Sequence, residues 1–174
     1  RLRFIPHFVR QRWYDRAEAI DRGTARAAAQ QAQYRRDVAI VGQLFRAGVP
    51  ILAGTDELNP YCLPGFSLHD ELARLVDAGL TPLGALQAAT LNPARFLHAT
   101  DSLGTVTAGK VADLVLLDAD PLADIRNVSR IAAVVVNGRL IDPAERERLL
   151  NDAAHADGPA GRRAGPGQVR RRRP

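Results

Sequence analysis

The stretch GVPILAGTD, residues 48–56, is apolar from Val49 to Ala53 and turns small and polar only at Gly54, Thr55 and Asp56. An unbroken apolar run bounded by Gly and Pro reads as a strand covered on both faces, the kind that parallel sheets use. Upstream of it, Val38, Val41, Leu44 and Phe45 fall at helical spacing, and Gly48 stands where a left-handed residue ends a helix. Downstream, a loop with Pro60, Pro64 and Gly65 leads to Ser67. Ser67 reads as the N-cap of a helix whose apolar stripe is Leu68, Leu72, Leu75 and Val76 and whose end is Gly79. Thr81-Pro82 gives a hydroxyl cap followed by proline at the first helical position, and Asn92-Pro93 repeats the signal for a short helix. Residues 2–9 (LRFIPHFV) read as a short buried strand with Pro6 at its end or edge. A helix follows, interrupted near Gly23. Strand, helix, strand, helix, helix predicts parallel βα units.

Beyond residue 100 the pattern changes. Ala108-Gly109-Lys110 and Asp120-Pro121 mark turns, and DLVLLD (113–118) reads as a strand. The run Ile131–Val136 meets Asn137-Gly138 and continues as RLI, a type I′ hairpin signal because both central residues tolerate positive φ. This predicts a small antiparallel β unit, closed by a helix that Asp142-Pro143 begins. From about Gly158 the chain offers almost nothing to bury and reads as a disordered, arginine-rich tail. The expected organisation is therefore βα units over 1–99, a β portion with its closing helix over 100–150, and a basic tail over 151–174.

Composition sets the outer bounds. With 174 residues, 46% hydrophobic and 25% charged, the chain is that of an ordinary globular domain. No apolar run approaches the roughly 20 residues of a membrane-spanning helix, and no secretory leader is recognisable, so no membrane association is expected. The single cysteine, Cys62, excludes an internal disulfide framework and fits a reducing cytoplasm. The net charge of +5 suggests nucleic acid, yet the last 15 residues hold six arginines and no acid. Removing their six charges from +5 leaves −1 on residues 1–159, so the basicity belongs to the tail. No aromatic residue is interleaved with those arginines, and nucleic acid is not expected as a partner.

Asp56 is the residue that offers chemistry. At the C-terminal end of a buried parallel strand its carboxylate stands where α/β folds gather ligands and catalytic groups, able to hold a metal ion or accept a proton. It can equally cap a turn. His69, 13 residues on in the first turn of the next helix, can face the same mouth, or serve as a structural hydrogen-bonding group. His7 is placed at the end of the first strand, and His98 and His155 read as solvent-exposed. There is no GxSxG elbow, phosphate-binding loop, dinucleotide fingerprint or CxxC pair, and Cys62 has no base near it in sequence.

Four stretches carry a resemblance to the C-terminal part of metal-dependent amidohydrolases of the imidazolonepropionase and prolidase kind. They are GVPILAGTD (48–56), PGFSLHDELARLVDAGLTPLGALQAATLNPARFL (64–97), LGTVTAGKVADLVLLDADPLADI (103–125) and VVVNGRLI (134–141). The resemblance implies an α/β fold, the last part of a (β/α)8 barrel followed by part of a flanking β-sandwich. It implies that Asp56 ends the eighth barrel strand, helps hold a divalent metal, zinc first, and shuttles a proton from the attacking hydroxide to the leaving group. His69 would then orient a small amide substrate. The implied activity is hydrolysis of carbon–nitrogen bonds. The family's other ligands, an HxH pair, a Lys or Glu and two further histidines, belong upstream of the matched region, so the isolated chain is expected to be an inactive fragment prone to association, including with its own kind. The alternative is a non-catalytic module that binds protein or nucleic acid through the basic tail.

Overall fold

Thr81-Pro82 does what its chemistry dictates. In the computed structural model, which describes residues 1–18, 25–57 and 59–155, the Thr81 Oγ1 accepts the Gly84 N–H at 3.0 Å and Pro82 opens the helix. Thr81→Ala removes that cap and is expected to lower stability by about 1 kcal/mol, read from a chemical-denaturation midpoint. In chain order the helices are α1 (His7–Glu18), α2 (Ala25–Arg46), α3 (Ser67–Asp77), α4 (Pro82–Ala89), α5 (Leu91–Phe96) and α6 (Pro143–His155). The strands are β1 (Leu114–Leu117), β2 (Ile131–Val136) and β3 (Arg139–Ile141). Short 3₁₀ turns cover Leu2–Phe4 and Ile125–Ser129.

The chain is thus of mixed α/β character, and its sheet among the described residues is small and antiparallel, in the order β1-β2-β3. The hairpin joining β2 to β3 turns through Asn137 (φ 49°) and Gly138 (φ 79°), as the sequence requires. Asp113 Oδ1 accepts the Asn137 N–H at 2.6 Å, which ties the turn to the start of β1. Asp142 Oδ1 accepts the Glu145 N–H at 2.8 Å and so starts α6.

The main core is built where α3 and α4 meet the Ile125–Ser129 turn. Leu72, Leu75, Leu80, Ala85, Ala88, Ile125 and Val128 are buried there, with Val41 and Phe45 of α2 packed against them. A second cluster joins Ile5 and Trp13 to Leu63.

Three expectations are corrected. Residues 2–9 form no strand. The Phe4 and Ile5 N–H groups donate to Arg1 and Leu2, and the Pro6 carbonyl accepts from Val9 and Arg10, so the run is a 3₁₀ turn leading into α1. A short apolar run does not separate strand from buried helix, and proline suits a helix start. His7 accordingly opens α1 instead of ending a strand. Ser67 is not a cap either. It is the first residue of α3, and its Oγ accepts the Leu63 N–H at 2.7 Å, which closes the loop before the helix. The tail expected from residue 151 starts later, since α6 runs on to His155; the interruption near Gly23 and the arginine-rich residues beyond 155 lie outside the described residues.

Candidate functional site

Residues 50–56 follow the left-handed Gly48 (φ 81°) as a segment without regular secondary structure, so the strand expected here is not formed. Exposure alternates along it. Ile51 and Ala53 turn onto the main core, while Leu52 on the other face is 43% exposed. The expected cover on both faces is therefore present on one face among the described residues. The segment pairs with no strand there either, so the expected parallel pairing is replaced by ties to helices. The Ala53 N–H donates to the Ala88 carbonyl at the end of α4 (2.9 Å), and Asn92 Nδ2 of α5 donates to the Ile51 carbonyl (2.9 Å).

Asp56 ends this segment with φ 49°, a left-handed conformation that Asp tolerates better than most residues. Its side chain is exposed. Asn59 Nδ2 donates to Asp56 Oδ2 at 2.6 Å and to the Asp56 carbonyl at 3.2 Å, so the carboxylate is oriented by one neutral amide. The loop beyond is seated by Leu63 and by Tyr61, whose ring lies 5.5 Å from that of Trp13. Asp56 thus stands between a segment anchored on one core and a loop anchored on the other.

His69 is half-buried in the first turn of α3. It lines a cavity of about 540 Å³ with Arg1, Asp70, Arg74, Arg126 and Ser129 among the other lining residues, and Asp56 is not in that lining. The structure therefore does not bring Asp56 and His69 together in this cavity. Burial, with the Arg1 charge adding to it and Asp70 opposing, holds the His69 pKa below its ordinary 6.5. The sign follows. The unfolded chain takes up the proton more readily, so the stability that neutral His69 contributes is present above pH 6.5 and is lost as pH falls toward the lowered value. Stability measured across that window is expected to decline less steeply with falling pH in His69→Gln than in the parent chain.

His98 and His155 are exposed, as expected, and His7 is exposed at the start of α1. Among the described residues no group of three or more His, Cys, Asp or Glu could hold a metal ion. A hydrolytic zinc site takes at least three protein ligands, so these residues by themselves do not fit a metal centre. Asn59 and Asn92 were not singled out in the sequence. Asn59 was legible as a polar turn residue three places after Asp56, whereas nothing local marks Asn92 as the partner of Ile51.

Comparison with known proteins supplies the class. Residues 15–141 match the Amidohydrolase family, and the chain belongs to that family. It is similar to an adenine deaminase of Rubrobacter xylanophilus, 36% identical over 99 residues, which are 55% of this chain and 16% of that protein. It is also similar to an imidazolonepropionase of Pyrobaculum arsenaticum, 46% identical over 79 residues, 45% of this chain and 19% of that one. The solved structure of the bottromycin amidohydrolase superposes with a TM-score of 0.73 at 29% identity, covering 90% of this chain and 35% of that one. The chain therefore spans between about a sixth and a third of the length of these relatives. Its relatives are hydrolytic enzymes acting at carbon–nitrogen bonds.

Proposed function

We propose that these residues are the C-terminal part of a cytoplasmic hydrolase that cleaves carbon–nitrogen bonds in small molecules, with Asp56 as its proton-transferring carboxylate. In this reading residues 1–99 supply the last βα units of a (β/α)8 barrel, 100–150 belong to a flanking β-sandwich, and Asp56 stands at the barrel's C-terminal rim. The observation that supports it most is the placement of the Asp56 carboxylate. It is exposed, ends a segment tied to two helices, and lies within the stretch matched by the family.

The chemistry asked of the chain is proton transfer. As water attacks the amide-like carbon, Asp56 takes its proton. When the carbon–nitrogen bond breaks, the same proton passes to the departing nitrogen, and the carboxylate is restored. His69 is proposed to orient the substrate from the first turn of α3. The divalent metal that the resemblance implies, zinc first, would take Asp56 as one ligand and draw the rest from outside these residues. The binding-module alternative rests on the arginine-rich tail, outside the described residues, and is not adopted.

The test is metal content and amide hydrolysis by the protein with the residues encoded upstream included, set against the same protein carrying Asp56→Asn. Hydrolysis by the parent that collapses in the variant supports the reading. Equal hydrolysis by both removes Asp56 from the mechanism.

A further inference from the structure

Segment 50–56 carries the candidate carboxylate, yet what fixes it comes from elsewhere in the chain. Its ties to helices α4 and α5 are the Ala53 N–H to the Ala88 carbonyl and Asn92 Nδ2 to the Ile51 carbonyl, both 2.9 Å. The second is partly buried and spans 41 residues of sequence. A carbonyl at this depth that loses its donor is left without its hydrogen bond, and such groups are costly to strand. Ile51 and Ala53 are both packed against the core, so the two ties act on alternate residues of one run. Asp56 lies five residues beyond Ile51 and three beyond Ala53. A shift of the tied stretch is passed on toward the carboxylate, and a misplacement of about 1 Å is enough to cost on the order of a hundredfold in rate.

We infer that Asn92 is a positioning residue for Asp56. Its side-chain amide clamps the Ile51 carbonyl and so sets the direction in which the segment delivers the carboxylate. The inference rests on the reading of Asp56 as the reacting group, but the clamp itself does not.

Asn92→Asp keeps the shape and removes the donor. Asn92→Ala removes the donor without adding charge. Thr81→Ala serves as the control, since it weakens α4 at its far end without touching residues 49–56. Amide hydrogen exchange by NMR is expected to show Ala53 exchanging roughly fivefold faster in both Asn92 variants, as loss of one net hydrogen bond requires, and unchanged relative to the rest of α4 in Thr81→Ala. In the enzyme with its upstream residues, kcat is expected to fall about tenfold or more in both Asn92 variants with KM held, and to hold in Thr81→Ala. Equal exchange gains in all three variants would reduce Asn92 to general stability and overturn the inference. Faster exchange with kcat unchanged would leave a clamp that positions nothing, which also overturns it. Full turnover in Asp56→Asn would instead remove the reading of Asp56, and the positioning role with it, while the exchange result stood.

Discussion

Asp56→Asn is expected to lower turnover by roughly a hundred- to ten-thousandfold, the range that a positioned proton-transfer group supplies. The substitution is informative because the structure gives it little else to disturb. The side chain is exposed, so no core volume changes. The φ of 49° is one that Asn accepts as readily as Asp. The Asn59 Nδ2 contact at 2.6 Å survives if the new amide presents its oxygen, so the turn keeps its partner. Stability is accordingly expected to stay within about 0.5 kcal/mol of the parent. Asp56→Ala separates the two roles further, because alanine loses the proton carrier and also pays about 1–2 kcal/mol for the left-handed backbone. Loss of activity without loss of stability in the asparagine variant identifies a chemical role. Parallel loss of both in the two variants identifies a turn residue and sinks the proposed function.

What the sequence made legible is local. Asn137-Gly138, Asp142-Pro143 and Thr81-Pro82 each act through neighbours within three residues, and each forms the turn or cap its chemistry predicts. Gly48 and Gly79 end their helices at φ 81° and 108° for the same reason. Residues 2–9 were misread because apolar character over so few residues carries no period. Ser67 was misread because a hydroxyl before a helix serves an upstream N–H, here that of Leu63, as easily as a downstream one. The apolar run at 49–53 reads as a strand buried on both faces, but among the described residues it forms no strand and is covered on one face only. Sequence reports how apolar a strand is, not which neighbours reach it. Asp56 draws attention in the sequence because it is the first carboxylate after an apolar run, and its role is the one proposed above. Asn92 was missed because its partner lies 41 residues away and its pairing with Pro93 suggested a helix start, which satisfied a local explanation.

Gly104→Ala is expected to destabilise the fold by about 3 kcal/mol or more. Two costs coincide at this position. Its φ of 89° lies in the region that L-residues rarely adopt, and a Cβ would stand 2.7 Å from the Ala94 Cβ and 3.1 Å from the Leu91 Cα. The second contact is backbone and cannot swing aside, so α5 itself would have to move. That helix carries Asn92 between Leu91 and Ala94, and Asn92 holds the Ile51 carbonyl. The turn at Gly104 therefore presses on the same helix that orients the segment ending at Asp56. Gly109 makes the matched control. Its φ is also 89°, but nothing lies within 4 Å of its would-be Cβ, so Gly109→Ala measures the backbone cost alone, about 1 kcal/mol. Chemical denaturation of the two variants isolates the steric part as their difference. Equal losses would mean that α5 gives way freely, and the close packing would then be holding neither the helix nor the segment that leans on it.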